Sequence, residues 1–266
     1  MNKKLIALDL DGTLLREDKT ISKRTKTYLK ELEDRGNIIV LASGRSPRAI
    51  IHHYESMSLH SPYIAYNGNY LNDTINREET IFKKIGQIFL KSFFDRFSFD
   101  HFSYVSVESL DNLYMLKEDD RFEDFIFPKK TNLILGDIKK NVNEDLMSFI
   151  FQVKDKDIKD DIEKFASEDE DIQLRFWYDL DDYGEFYPSS ISKATSLEKL
   201  IKDHQIKRED VIAIGDGNND FEMLSLASLS FAMKNGSAEL KSKSRYVTEY
   251  TNDEDGVYHV LKDLFD

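Results

Sequence analysis

The chain has 266 residues, 37 basic and 50 acidic, for a net charge of −13. With 40% apolar residues, 11 Gly and 4 Pro, it has the composition of one large or two ordinary globular domains, not of a collagenous or disordered chain. It contains no cysteine, which excludes disulfides, thiolate metal sites and cysteine nucleophiles.

The acidic balance repels phosphate backbones, so nucleic acid is not an expected partner. Lys3 and Lys4 precede the apolar run Leu5–Leu8. Asp9 ends that run short of the about 7–15 residues of a signal-peptide core. No later stretch reaches the length of a membrane span. A cytoplasmic protein without membrane association is expected, as a monomer or small homo-oligomer.

Leu5–Leu8, Ile38–Ala42 and the run 211–214 are short, continuous and apolar, the pattern of parallel strands buried on both faces. Each ends in small or acidic residues: Asp9, Ser43-Gly44 and Gly215-Asp216. The run 63–66, ending at Asn67-Gly68, is a less apolar fourth member. Between the first two lies a helix, with Ser22 as N-cap, Tyr28, Leu29 and Leu32 on one face and Gly36 as stop. Segments 47–57, 195–204 and 219–227 read as further helices. This alternation predicts an α/β fold, a doubly wound, Rossmann-like and mainly parallel sheet with helices on both faces. Ligands bind such sheets beyond the carboxyl ends of the strands.

Of the 18 Phe, 15 lie between Phe82 and Phe186, and residues 80–190 carry 25 acidic against 15 basic residues. That change predicts an inserted α+β domain over 80–190, leaving 1–79 and 191–266 to form the core together. Its boundaries fall in the polar stretch 72–80 and the loop Pro188-Ser189-Ser190. Inside it, 104–107, 113–116, 149–153 and 172–178 read as strands and 157–166 as a charged amphipathic helix.

Asp9-Leu10-Asp11-Gly12-Thr13 sets two carboxylates two residues apart at a strand end, followed by a Gly that permits a sharp turn. A solvated Asp turn is the plain alternative. Like charges so close are costly unless a cation or proton neutralises one. Gly215-Asp216-Gly217-Asn218-Asn219-Asp220 offers more oxygens at another strand end. An all-oxygen cluster of this kind suits Mg²⁺. Ser43-Gly44 could hold an anion through its hydroxyl and N–H groups, or could be a simple N-cap. Lys193 could supply a point charge for phosphate, although by itself it reads as a surface lysine.

Other motifs fail on spacing. Gly215-Asp216-Gly217 begins like a dinucleotide fingerprint, but Asp220 stands where the third Gly belongs. Asp179-Leu180-Asp181-Asp182-Tyr183-Gly184 begins like a calcium loop, but Tyr183 and Ser190 occupy ligand positions. The histidines show no ligand spacing.

In this order on these elements, residues 9–13, Ser43-Gly44, Lys193 and residues 215–220 resemble the four motifs of the haloacid dehalogenase superfamily of phosphohydrolases. Tyr66-Asn67-Gly68 and the large insertion are similar to its Cof-like branch, in which an α/β cap occupies that place. One departure is Ala194 after Lys193, where the family often has Gly.

The resemblance implies a Mg²⁺-dependent phosphomonoesterase acting on small phosphorylated metabolites, with sugar phosphates as the expected substrates. Asp9 would be the nucleophile that forms an aspartyl-phosphate, and Asp11 the general acid and then the general base. Mg²⁺ would rest on Asp9, the Asp11 carbonyl and Asp216. Leu10, Ser43, Gly44, Lys193 and Asn219 would hold the phosphoryl group. Asp220 would orient Lys193 or the metal shell, and Arg45 and Asn67 would lie near the substrate. The cap would choose the leaving group. A phosphomutase and a non-catalytic phosphate-binding protein are the alternatives.

Overall fold

A computed structural model describes residues 3–119, 132–177 and 182–266. In chain order the strands begin with β1 (Leu5–Leu8), β2 (Ile38–Ala42), β3 (Tyr63–Ala65), β4 (Tyr70–Asp73) and β5 (Glu78–Ile81). Then come β6 (Phe102–Glu108), β7 (Asn112–Met115), β8 (Asn132–Leu135), β9 (Ser148–Val153), β10 (Ile172–Phe176) and β11 (Tyr183–Pro188). The last are β12 (Val211–Gly215), β13 (Leu229–Ala232) and β14 (Tyr246–Val247). The chain divides into two compact units, one formed by residues up to Ile81 with Ser192–Asp266, the other by Phe82–Ile191.

The first unit is built on an eight-stranded sheet, in the order β14-β13-β12-β1-β2-β3-β4-β5. Central β1 pairs in parallel with β2 on one side and β12 on the other, Leu8 opposite Leu41 and Ile214. Every residue of these three strands is buried, as helices on both faces require. Around the sheet run α1 (Lys23–Asp34) and α2 (Pro47–Ser56), and later α6 (Lys193–Asp203), α7 (Phe221–Leu226), α8 (Ala238–Lys243) and α9 (Gly256–Phe265). Ser22 caps α1 by accepting from Thr25 N, and Gly36 leaves the helix at φ 93°.

The polar stretch expected as a boundary, 72–80, contains an antiparallel hairpin of β4 and β5 that extends the sheet. Asp73 closes its turn by accepting from the N–H groups of Ile75 and Asn76. β5 is an edge strand with largely exposed side chains. Its Glu-Glu-Thr sequence therefore reads as loop, because an exposed edge needs no apolar alternation.

The second unit has a six-stranded sheet, β10-β11-β9-β6-β7-β8, antiparallel except for the parallel pair β7–β8. It carries α3 (Gln87–Arg96), α4 (Ile138–Asn141) and α5 (Lys159–Ser167). Tyr178, at the end of the expected strand 172–178, lies outside the described residues, as do Asp179-Leu180-Asp181. From Tyr183 onward the run that begins like a calcium loop is strand β11. One core contains Phe89, Phe93, Phe94, Phe97, Phe102, Phe149, Phe151, Phe165 and Phe186. The Phe93 ring is central, with seven other Phe rings centred 4.9–5.7 Å from it. Among the described residues, most Phe of this segment are thus met by packing within the unit itself. Among the described residues, no helix is long and apolar enough to cross a membrane.

Phe93→Ala is expected to destabilise this unit by about 3–5 kcal/mol, the transfer and cavity cost of a buried ring. A denaturant melt followed by near-ultraviolet absorption checks it, and an unchanged midpoint would contradict the central place of this ring.

Candidate active site

β1, β2, β3 and β12 end on the same edge of the sheet, because all four run in parallel. The residues just past their ends are Asp9, Ser43, Tyr66 and Asp216, so separate parts of the sequence meet there. Asp9 is buried, and its backbone N–H still donates to Ile214 O at 3.0 Å, holding the first carboxylate against β12.

Lys193 is the first residue of α6 and is completely buried. Its ammonium donates to Asp9 Oδ1 at 2.5 Å and to Asp220 Oδ1 at 2.6 Å. The other Asp220 oxygen accepts from the N–H groups of Asp216 and Gly217, both at 3.0 Å. Asp220 is therefore fully engaged in fixing Lys193 and the loop after β12. A surface lysine is the ordinary reading of such a residue in sequence; here two carboxylates hold it charged in spite of its burial. Burial works against the ammonium, but Asp220 and Asp9 outweigh it and raise its pKa.

Asp9, Asp216 and Asp220 each bring an oxygen within 4.8 Å of the others. Three carboxylates face one ammonium, so negative charge is in excess. Burial and the charge of Asp220 raise the Asp9 carboxyl well above the usual range, with Lys193 opposing them. The same two causes push Asp216 up to about 7. Thr13 Oγ1 donates to Asp216 Oδ1 at 3.2 Å. Gly12 has φ 72°, and a Cβ there would lie 2.2 Å from Asp216 Oδ2. Only glycine lets the first loop come this close to the second.

Asp11 stands outside that cluster. Arg45, itself buried, grips it with two hydrogen bonds of 2.7 Å, Nε to Oδ2 and Nη2 to Oδ1. Lys19 Nζ adds a longer contact of 3.4 Å. Burial tends to raise the Asp11 carboxyl, but these two cations prevail and lower it. Two aspartates two positions apart are thereby pushed in opposite directions.

Ser43 is buried, and its Oγ accepts from Arg45 N at 3.1 Å. α2 begins only at Pro47, so Ser43-Gly44 belongs to the preceding loop and does not cap that helix. Asn219 Nδ2 donates to Asn67 Oδ1 at 2.9 Å, and the Asn67 amide lies 3.1 Å from where a Gly44 Cβ would stand. Leu10 buries its side chain completely, so any contact it makes with a ligand comes from its backbone. Thr13 and Lys19 are additions: Thr13 stands inside the first motif, whereas nothing in the sequence around Lys19 points to Asp11.

The profile of the haloacid dehalogenase-like hydrolases matches residues 6–261. The chain is 33% identical over 267 residues to the 5-amino-6-(5-phospho-D-ribitylamino)uracil phosphatase YitU of Bacillus subtilis, covering 98% of this chain and 97% of that one. To YwtE of the same organism, a phosphatase of the same description, it is 28% identical over 292 residues, covering 98% of each. A crystal structure of a haloacid dehalogenase-like hydrolase from Bacteroides thetaiotaomicron superposes with a TM-score of 0.85 at 26% identity, covering 99% of this chain and 100% of the other. The chain belongs to the haloacid dehalogenase-like hydrolases, and its relatives place it among their phosphatases.

Gly12→Ala is expected to cost more than about 1 kcal/mol, because the added methyl meets Asp216 in a left-handed backbone. Urea denaturation reads this directly. A variant as stable as the parent would contradict the close approach of the two loops.

Proposed function

We propose that the protein hydrolyses phosphate monoesters of small metabolites with Mg²⁺, through an aspartyl-phosphate on Asp9. The observation that carries this reading is the Lys193–Asp9 pair beside Asp216, at the carboxyl ends of adjoining parallel strands. A divalent cation fits the donor set. The cluster is all oxygen, its negative charge exceeds what Lys193 supplies, and Gly12 lets the Asp216 carboxylate close on the first loop. Asp220 is occupied by Lys193 and two backbone N–H groups, so Asp9, Asp216 and the Asp11 carbonyl would hold the ion. When bound, Mg²⁺ offsets the charge of the phosphoryl oxygens facing Asp9.

The residues divide the work. An Asp9 oxygen attacks phosphorus, and the ester oxygen departs with its bonding electrons, taking a proton from Asp11. Asp11 carries that proton only once its carboxyl has left the Arg45 pair, which favours its ionised form. Water then attacks the acyl phosphate while Asp11 removes its proton, releasing inorganic phosphate and restoring Asp9. Lys193 stays at hydrogen-bond distance from Asp9 and counters charge built up on the phosphoryl oxygens. Ser43, the Gly44 N–H and Asn219 orient those oxygens, with the Leu10 backbone beside the nucleophile. Arg45 pairs with Asp11 when that carboxyl is ionised.

These groups address only what all phosphate esters share. Selection of the alcohol is assigned to the inserted unit, Phe82–Ile191. The name of YitU specifies a phosphate on a ribityl chain, which supports sugar and polyol phosphates as the substrates to test first.

Purified protein with Mg²⁺ should release inorganic phosphate from such esters over many turnovers without a bisphosphate activator. Chelation with EDTA should stop the release, and Asp9→Asn should abolish it. Turnover surviving exhaustive chelation would sink the metal assignment, and an active Asp9→Asn variant would sink the covalent one.

Asp11→Asn is expected to slow hydrolysis of alkyl phosphates by roughly 10²–10⁴-fold, the usual worth of a general acid–base. The loss should be smaller for p-nitrophenyl phosphate, whose leaving group needs little protonation. Equal losses on both would reassign Asp11 to structure.

A further inference from the structure

Three consecutive residues after β3 lie in the left-handed region: Tyr66 at φ 48°, Asn67 at 52° and Gly68 at 100°. Glycine adopts it freely, asparagine tolerates it and tyrosine disfavours it. Such a run survives only where its surroundings over-determine it.

They do so on both sides. Tyr66 N donates to Arg45 O at 3.0 Å and Asn67 N to Ser43 O at 3.1 Å, tying the turn to the loop after β2. Across from these, Ser196 Oγ donates to Gly68 O at 2.7 Å. A Cβ on Gly68 would stand 1.9 Å from Ser192 O. The turn is thus wedged against the start of α6, the helix that opens with Lys193. Its Asn67 side chain, 7% exposed, reaches residues expected to hold the phosphoryl group. That amide meets Gly44 and Asn219 together.

We infer that Asn67 is a positioning residue, which acts on the phosphoryl group through Asn219 and Gly44. A free carboxamide can rotate and present either oxygen or nitrogen. Accepting from Asn219 Nδ2 fixes which end of Asn219 points where. It leaves that nitrogen's second hydrogen to donate to an anion. The same contact sets the distance between Asn219 and the Gly44 backbone, which come from opposite ends of the sequence. The strained backbone is what delivers the side chain to that spot. A misplacement of about 1 Å among such groups is enough to weaken them by roughly 10²-fold.

The inference rests on the phosphatase reading, and its test avoids turnover. Binding of inorganic phosphate is measured by calorimetry in the presence of Mg²⁺. Asn67→Gly removes the amide but suits the backbone, so the fold should persist while phosphate binds roughly 10- to 100-fold more weakly. Combined with Asn219→Ala, it should add clearly less than it costs alone, because the Asn219 share of its effect is already lost and only the Gly44 share remains. Asn67→Asp serves as a second variant: it keeps the accepting oxygen and the turn but sets a negative charge against Gly44. It should also weaken phosphate binding. Unchanged affinity in Asn67→Gly and Asn67→Asp, or losses that multiply in the double variant, would overturn the role. Wild-type protein that binds phosphate but hydrolyses no ester would overturn the phosphatase reading and leave the coupling measurement to decide this one.

Discussion

The Lys193 ammonium, enclosed between Asp9 and Asp220, is the constraint around which the first unit is arranged. A buried charge is tolerable only with partners at hydrogen-bond distance. Here the two partners come from the ends of β1 and β12, which pair directly. The lysine itself opens α6, one residue after the chain returns from the inserted unit at Ser192. Both halves of the core sequence must therefore be folded together before the ammonium has its partners. The turn at Tyr66-Asn67-Gly68 presses on the same helix start and ties it to β3.

Excess negative charge follows from this arrangement. One ammonium faces three carboxylates, and Asp220 has given its oxygens to Lys193 and to the loop after β12. Burial and the charge of Asp220 raise the carboxyls of Asp9 and Asp216, and the Lys193 ammonium only partly offsets them. A few ångströms of chain away, Asp11 meets the opposite environment in Arg45 and Lys19. Residues i and i+2 thus come under fields of opposite sign. These fields describe the groups with Arg45 closed on Asp11 and nothing bound beside Asp9 and Asp216. On the proposed reading Asp9 attacks with the cation beside it, and Asp11 carries the proton once it has left Arg45.

The apolar runs at β1, β2 and β12 were legible because strands buried on both faces must be continuously hydrophobic. Helix α1 was legible through its cap, its spacing and its glycine stop. The hairpin of β4 and β5 was not, because an edge strand exposed to water loses the apolar signal. Short β13 and β14 gave too few residues for any period to register. The lopsided distribution of Phe predicts an insertion over 80–190; a compact unit of the structure runs from Phe82 to Ile191.

By itself, the sequence determined the chemical types at the strand ends: paired carboxylates, a small hydroxyl loop, a lysine and a second acidic loop. Their order on alternating strands and helices also fixed the family resemblance, since the pattern depends on local residue choice and spacing. Only the tertiary structure decided which charge answers which. Nothing local distinguishes Lys193 from a solvent-facing lysine, or tells Arg45 to grip Asp11. Those choices arise from parallel pairing, which brings residues 184 and 203 positions apart to within 3.2 Å of each other. At that distance in a buried setting, charge and hydrogen bonding outweigh any local preference.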